Sequence, residues 1–149
     1  MPLIDLIDED VIKIPLTSRL KYDVIRELIG VLERAGKLKD PDKAASAVFA
    51  REDLGSTGLG GGIAVPHAKT NTVDNLTIAI GIAPEGIDFD ALDGEDSSLF
   101  FLMLAPPGQT GPHIEALSEI AKITQSRSFV EALQHAETPA AVLDLFRSP

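Results

Sequence analysis

The segment 51–67 concentrates most of the residues that could perform chemistry. It begins with an arginine, ends with a histidine, and contains two hydroxyl side chains and five glycines between them. Glycine adopts backbone angles closed to other residues and lets the main chain come close to a ligand. This combination predicts a site for an anion, in which a basic side chain and backbone N–H groups surround a nucleophilic imidazole.

Two familiar phosphate-binding motifs fail on this segment. A Walker-type loop needs a lysine and a hydroxyl residue directly after its last glycine, where this chain has Ile63 and Ala64. The dinucleotide fingerprint needs glycines at its first, third and sixth positions, and Ile63 occupies the sixth when Gly58 is the first. The segment therefore belongs to neither class of nucleotide-binding site.

The same segment resembles the active-site signature of the type-2 enzyme IIA domains of the bacterial phosphotransferase system, the mannitol, fructose and nitrogen-regulatory class. In that family an acidic residue precedes a glycine-rich loop and an apolar-Ala-apolar-Pro-His ending. The matching positions are Glu52, Leu59, Gly60, Ile63, Ala64, Val65, Pro66, His67 and Ala68. A second histidine, His113, follows at about the expected distance, whereas Gly61 stands where many members have Asn or Glu.

The resemblance implies a function, a site and partners. His67 would accept a phosphoryl group, and Arg51 and His113 would contact its oxygens. The protein would be a phosphotransferase without a cofactor. It would receive the group from phosphorylated HPr or a nitrogen-type HPr paralogue, then pass it to an enzyme IIB domain or use it to regulate a target protein. Further phosphate contacts are expected from the loop, at Ser56, Thr57, Gly60 and Gly62.

Composition excludes several other classes of function. The 149 residues carry a formal net charge of −10 without a basic cluster, which argues against nucleic-acid binding. We expect no metal, because the chain has no cysteine and its histidines lack H-x-x-x-H or H-x-H spacing. The N-terminus lacks the basic region of a secretory signal, and no apolar run approaches the roughly 20 residues that span a bilayer. A cytoplasmic protein without membrane insertion is therefore expected.

Helical spacing of apolar residues predicts the elements on the N-terminal side of the site. A first helix starts with Thr17 or Ser18 as its N-cap and ends at Gly36, a residue typical of helix C-termini. A second helix, capped by Asp40, carries Arg51 in its last turn. The resemblance favours a phosphate contact for Arg51 over the simpler role of a solvated cation at a helix end.

Several short apolar runs predict strands. Residues 11–14 form an edge strand, and residues 76–83 and 99–104 form central strands. The acidic, turn-rich segment 86–96 between the central strands suggests a short strand pair at the surface. We expect one α/β domain over residues 1–149, with a mixed β-sheet flanked by helices on both faces, and the resemblance implies the same fold.

The histidines occupy different places in these elements. His67 follows the buried strand 63–65, which Pro66 ends because proline has no N–H for a ladder. His113 falls in the first turn of a third helix, where we expect it to be partly exposed near free N–H groups. His135 is expected to be structural. The buried face of the third helix is predicted to contain Ile114, Leu117, Ile120, Ala121 and Ile123.

Two other classes of function are weighed against the phosphocarrier. A metal-dependent hydrolase would use His67 and His113 with a carboxylate such as Glu52 or Glu115, but no paired-histidine spacing supports a metal site. An interaction module would keep the fold and bind partners without turning over phosphate. The intact histidine motif favours the phosphocarrier over both. A free-standing domain of this length is more similar to the fructose-type or nitrogen-regulatory members than to a module of a sugar permease.

Overall fold

The computed structural model describes residues 2–147, which form a mixed sheet surrounded by helices. The strands are β1 (Ile12–Lys13), β2 (Gly58–Gly60), β3 (Ile63–Ala64), β4 (His67–Lys69), β5 (Thr77–Ile87) and β6 (Ser97–Ala105). The helices are α1 (Lys21–Arg34), α2 (Pro41–Asp53), α3 (Thr110–Ile123), α4 (Arg127–Gln134) and α5 (Pro139–Arg147). Short 3-10 segments precede β1 and α3.

Strand β6 is the centre of the sheet. It pairs antiparallel with β5, and parallel with both β3 and β4. Strand β1 lies at one edge, parallel to β5, and β2 lies at the other edge, antiparallel to β3. The predicted edge strand and the predicted mixture of parallel and antiparallel pairs are both confirmed.

Helices cover both faces of this sheet. Residues 99–105 of β6 are each 0% exposed, although successive strand side chains point to opposite faces. Unbroken burial therefore requires cover on each side, which comes from α1 and α4 against β5 and β6 and from α3 against β6. The expectation of a mixed sheet flanked by helices is confirmed.

Helix α1 ends as predicted but begins differently. Its N-cap is Leu20, which makes no side-chain cap, so the prediction of Thr17 or Ser18 as the cap is wrong. Instead the Glu27 carboxylate, one helical turn and more inside α1, accepts the N–H groups of Thr17 and Ser18 at 2.9–3.1 Å. At the other end Gly36 has a φ of 73°, the left-handed geometry that stops a helix.

The start of α2 is the predicted one. The Asp40 side chain accepts the Lys43 N–H at 3.2 Å, and Pro41 occupies the first helical position. Thirteen residues from Pro41 to Asp53 then place Arg51 in the last turn. A sequence signal at one end of α2 therefore correctly locates a site residue at the other.

The acidic segment between the central strands does not form the predicted strand pair. Strand β5 runs on to Ile87, which pairs with Ser97 after a register shift, and residues 88–96 form a loop. Asp88 and Asp93 each accept a backbone N–H two residues further on, an arrangement that favours turns over a ladder. Within residues 2–147, no helix combines the length and apolar character needed to cross a bilayer.

Candidate functional site

His67 is the first residue of β4, where the backbone is anchored to the central strand. Strands β3 and β4 keep the same register against β6, and Val65 and Pro66 separate them. The Pro66 carbonyl still accepts a hydrogen bond from the Met103 N–H at 3.0 Å, so the two-residue break between β3 and β4 stays attached to β6. The sequence predicts His67 at the exit of a strand; in the structure it also begins the next one.

One hydrogen bond selects the tautomer of His67. Its Nδ1 lies 2.8 Å from the Val65 carbonyl oxygen. A carbonyl oxygen can only accept a hydrogen bond, so Nδ1 carries the proton and donates it. In the neutral imidazole the other nitrogen, Nε2, then has a free lone pair. His67 therefore presents Nε2 as a nucleophile.

The surroundings of His67 favour its neutral form. Burial is the largest cause that lowers the pKa of His67 below its usual value, because a buried imidazolium loses hydration. The Arg51 charge lowers the pKa further, whereas the Val65 hydrogen bond and the Glu52 charge raise it. The net direction is downward, so the nucleophilic form predominates at neutral pH.

His113 packs against His67 and is buried. The ring centroids lie 5.4 Å apart with an angle of 81° between the planes. His113 is 5% exposed, so the expectation of a partly exposed residue is wrong. Its Nε2 is buried and has no hydrogen-bond partner among the described residues. Burial, and then the neighbouring His67 and Lys69, lower the pKa of His113.

The predicted buried face of α3 is correct only in part. Ile120 is buried, and Leu117 and Ile123 are partly buried against the core. Ala121 is exposed and Ile114 is 57% exposed, whereas His113 and Ala116 are buried. Ile114 instead lines the cavity beside the two histidines. Sequence periodicity cannot distinguish an apolar residue in the core from one at the rim of a site, which explains the error.

Arg51 and both histidines line one cavity of about 410 Å³. Arg51 reaches it from the last turn of α2, where one guanidinium nitrogen donates to the Gly55 carbonyl at 2.9 Å. Lys69 lines the same cavity. Lys69 is not among the site residues predicted from the sequence, although its place two residues after His67 in a short strand was an available signal.

The structure does not bring the predicted phosphate-binding hydroxyls into this cavity. The Ser56 hydroxyl donates to the Phe89 carbonyl at 2.8 Å, and the Thr57 hydroxyl donates to the Glu52 carboxylate. Thr57 is 4% exposed. The Ser56 and Thr57 side chains thus connect the start of the hairpin formed by β2 and β3 to the loop after β5 and to α2.

The two predicted phosphate-binding glycines, Gly60 and Gly62, shape the turn of the β2–β3 hairpin and are not among the residues that line the histidine cavity. Gly60, Gly61 and Gly62 have φ values of 92°, 65° and 84°, so the turn needs glycine for its backbone. The Gly61 N–H already donates to Asp93 Oδ2 at 3.0 Å, and a Cβ at Gly60 would lie 3.0 Å from the same oxygen. A carboxylate beside these N–H groups opposes phosphate binding there.

The Glu52 carboxylate is occupied by partners within the protein, so it is not free to bind a ligand. Its side chain is fully buried, with Lys21 Nζ at 3.0 Å from Oε2 and the Thr57 N–H at 3.3 Å. Glu115, the other carboxylate of the hydrolase alternative, lines a different cavity with Leu6. Across residues 2–147, no group of three or more histidine or carboxylate side chains is arranged to hold a metal ion.

His135 lies apart from the cavity lined by the other two histidines. It is the C-cap of α4, is exposed, and places Nδ1 2.8 Å from the Glu131 carbonyl oxygen. This position agrees with a structural part for His135. The structure therefore brings together three of the predicted site residues, Arg51, His67 and His113, and adds Lys69.

Comparison with known proteins agrees with the family resemblance of the segment 51–67. Residues 5–148 match the family described as "Phosphoenolpyruvate-dependent sugar phosphotransferase system, EIIA 2". The chain is 38% identical over 145 residues to the fructose-specific EIIABC component of Bacillus subtilis, covering 97% of this chain but only 23% of that protein. It is 36% identical over 125 residues to the fructose-specific EIIA component of Haloferax volcanii, covering 84% of this chain and 81% of that protein.

A solved structure agrees over nearly the full chain. The crystal structure of nitrogen regulatory protein IIA-Ntr from Neisseria meningitidis superposes with a TM-score of 0.89 at 32% identity. The superposition covers 97% of this chain and 98% of that one.

Proposed function

The chain belongs to the type-2 EIIA family of the phosphoenolpyruvate-dependent sugar phosphotransferase system, and from this membership we propose that it is a phosphocarrier whose phosphoryl group is held on Nε2 of His67. Domains of this family are phosphotransferase components that work with HPr-type donors and EIIB acceptors. The proposal concerns the atom that carries the group in this chain and the residues that assist it.

The observation that carries the proposal is the hydrogen bond from His67 Nδ1 to the Val65 carbonyl. It leaves Nε2 unprotonated, and the lowered pKa of His67 keeps the ring neutral near pH 7. A neutral imidazole nitrogen in a cavity lined by cationic and imidazole side chains is suited to accept a phosphoryl group from another histidine.

The transfer step exchanges one P–N bond for another. Nε2 of His67 attacks phosphorus as the bond from phosphorus to the donor histidine breaks, and the electron pair of that bond stays on the donor ring. The Nδ1 proton of His67 remains on the Val65 hydrogen bond throughout. Catalysis then depends on positioning and on charge aimed at the phosphoryl oxygens.

In the proposal Arg51 supplies that charge, and His113, which is neutral, supplies a hydrogen-bond donor. The guanidinium has several donors besides the one on the Gly55 carbonyl. His113 Nε2 is buried and unpaired within the described chain, a costly state for a polar group unless a ligand pairs with it. In the proposal this nitrogen carries a proton and donates a hydrogen bond to a phosphoryl oxygen. We further propose that residues 1–149 form one such domain, which passes the group to an EIIB acceptor, regulates a target protein, or does both. Relatives with fructose-specific and with nitrogen-regulatory names are similar to this chain at 36% and 32% identity.

Intact-mass measurement at alkaline pH tests the proposal, because phosphohistidine persists in base. Phosphorylated HPr would be mixed with wild type and with His67→Ala, His113→Ala and His135→Ala variants. We expect one added phosphoryl group on wild type and on the His135 variant, and none on the His67 variant. The His113 variant should be labelled more slowly, by the roughly 100-fold or more that loss of an oriented donor costs elsewhere.

Other outcomes would contradict the proposal. Label retained by the His67 variant, or an acid-stable adduct, would place the group on another residue. A wild type that binds HPr but takes no label would favour the interaction module. Because His113 is buried, its alanine variant needs a check of folding by circular dichroism before its rate is interpreted.

A further inference from the structure

Lys69 shares the cavity of the two histidines but has no assigned part in the chemistry. The cavity of about 410 Å³ is lined by Arg51, His67, His113 and Lys69 together with mainly apolar neighbours. The lysine is exposed, so its long side chain is free to reach a group that enters the cavity.

Strand geometry places Lys69 on the nucleophile's side of the sheet. His67, Ala68 and Lys69 form β4, each paired with a residue of β6. Side chains alternate along a strand, so the first and third residues share a face. His67 and Lys69 both line the cavity, while Ala68 between them is 7% exposed and packs in the hydrophobic core at the cavity wall.

The charge of Lys69 is available to a ligand. Lys69 takes part in no ion pair among the described residues, whereas Lys21 is bound by Glu52 and Asp90. Its positive charge contributes to the lowered pKa of His113. An unpaired cation beside two imidazoles attracts an anion at that point of a chain whose net charge is −10.

We propose that Lys69 is a further catalytic residue, whose Nζ donates a charged hydrogen bond to an oxygen of the phosphoryl group as this group reaches and remains on His67. The inference rests on the proposed function. The lysine keeps its proton, so no bond to Lys69 forms or breaks, and the transfer stays the exchange of P–N bonds described above. Arg51 and His113 contact the group from α2 and α3, and Lys69 adds a cation from the end of β4.

The test compares Lys69→Ala and Lys69→Arg with wild type, with Lys43→Ala as the matched control. Lys43 is an exposed lysine in the first turn of α2, and its removal changes net charge equally. Rapid-quench kinetics with phosphorylated HPr would give kcat and KM for labelling. We expect kcat to fall roughly ten-fold for Lys69→Ala, the loss typical of a charged hydrogen bond, with most of the rate retained by Lys69→Arg.

A second measurement needs no partner protein. ³¹P NMR titration of the isolated phosphorylated forms reports the pKa of the phosphoryl group itself. A nearby ammonium favours the dianion, so Lys69→Ala should raise that pKa, whereas Lys69→Arg and Lys43→Ala should leave it near the wild-type value. A purely structural lysine would not move this titration.

The outcomes separate the two proposals. Wild type labelled on His67, with an unchanged kcat and phosphoryl pKa in Lys69→Ala, would overturn the role of Lys69 alone. A change in KM only, with an unchanged phosphoryl pKa, would also overturn it, because the lysine would then serve partner docking. A wild type without label on His67 would overturn the proposed function and this inference together.

Discussion

At the scale of single residues, the site is a pair of imidazoles held neutral by burial. His67 and His113 pack edge to face at 5.4 Å, and both have a lowered pKa, with loss of hydration as the main cause. Two imidazolium rings at this separation would also repel each other. The chemistry of the site and the stability of the fold therefore depend on the same protonation state.

The free energy of unfolding should decrease as pH falls below about 6.5, the ordinary pKa of histidine in an unfolded chain. Because the folded-state pKa values of His67 and His113 lie below that value, the unfolded chain binds protons first. The loss cannot exceed about 1.4 kcal/mol per histidine and pH unit. Urea unfolding at pH 7.5 and pH 5.5 measures it.

A His113→Gln variant provides the comparison for this pH effect. It lacks one of the two titrating rings, so its stability should change less between the two pH values than that of wild type. Equal stability of the wild type at pH 7.5 and pH 5.5 would contradict the expectation.

At the scale of elements, α2 and the glycine hairpin decide where the site residues lie. Helix α2 carries Arg51 toward the cavity and Glu52 into the core at its last turn. The Glu52 carboxylate then joins α2 to α1 through Lys21 and to the hairpin through Thr57. Three consecutive residues with positive φ make the hairpin turn conformationally costly to order, so this buried cluster stabilises the segment that leads to His67.

Breaking the buried Lys21–Glu52 pair from one side should be strongly destabilising. Glu52→Ala leaves the ammonium of Lys21, whose side chain is 11% exposed, without its nearest partner at 3.0 Å. Removal of one member of a buried pair costs about 3–5 kcal/mol. The double variant Lys21→Met, Glu52→Gln should lose much less than the sum of its single changes, as measured by urea unfolding. Additive losses would show that the two side chains are not coupled.

The cap of α2 allows a sharper test, because Asp40 has two separate functions. Its side chain accepts the Lys43 N–H, and its backbone has a left-handed φ of 52°. Asp40→Ala loses the cap and keeps a Cβ in this strained geometry, and we expect a loss of about 1–2 kcal/mol. Asp40→Gly should cost less, and Asp40→Asn should remain close to wild type in thermal unfolding. A glycine variant as unstable as the alanine variant would contradict this explanation.

The sequence predicted those elements whose signals are local. Asp40 and Gly36 mark helix ends through backbone geometry that few residues support, and both predictions are confirmed. Contacts between residues far apart in the sequence could not be predicted from local patterns. The Glu27 carboxylate replaces the predicted cap of α1, and Asp93 occupies the N–H of Gly61, because packing brings these residues together across 10 and 32 positions.

At the scale of the whole molecule, β6 joins the parts of the site. It pairs with β3 and β4 on one side and with β5 on the other, and α3 follows it directly through a short 3-10 segment. His67 lies on a strand paired to β6, and His113 lies in the first turn of α3. The distance between the two histidines is thus set by one buried strand.

Amides of β6 should be the slowest in the protein to exchange with deuterium. Residues 99–105 are completely buried and β6 is paired on both sides, so their exchange requires global unfolding. Residue-resolved hydrogen exchange by NMR would give them opening free energies equal to that of urea unfolding. Slower exchange in α1 than in β6 would show that the helical layer, and not the sheet, is the last part to open.

The hydrogen bond that selects the His67 tautomer ends on a main-chain oxygen, which every amino acid possesses. No substitution at position 65 can delete the acceptor, provided that the new side chain fits the buried space of Val65. The backbone conformation, and not a side chain, therefore determines which nitrogen of His67 is the nucleophile. It withstands sequence drift that would abolish a tautomer defined by a carboxylate or an amide side chain.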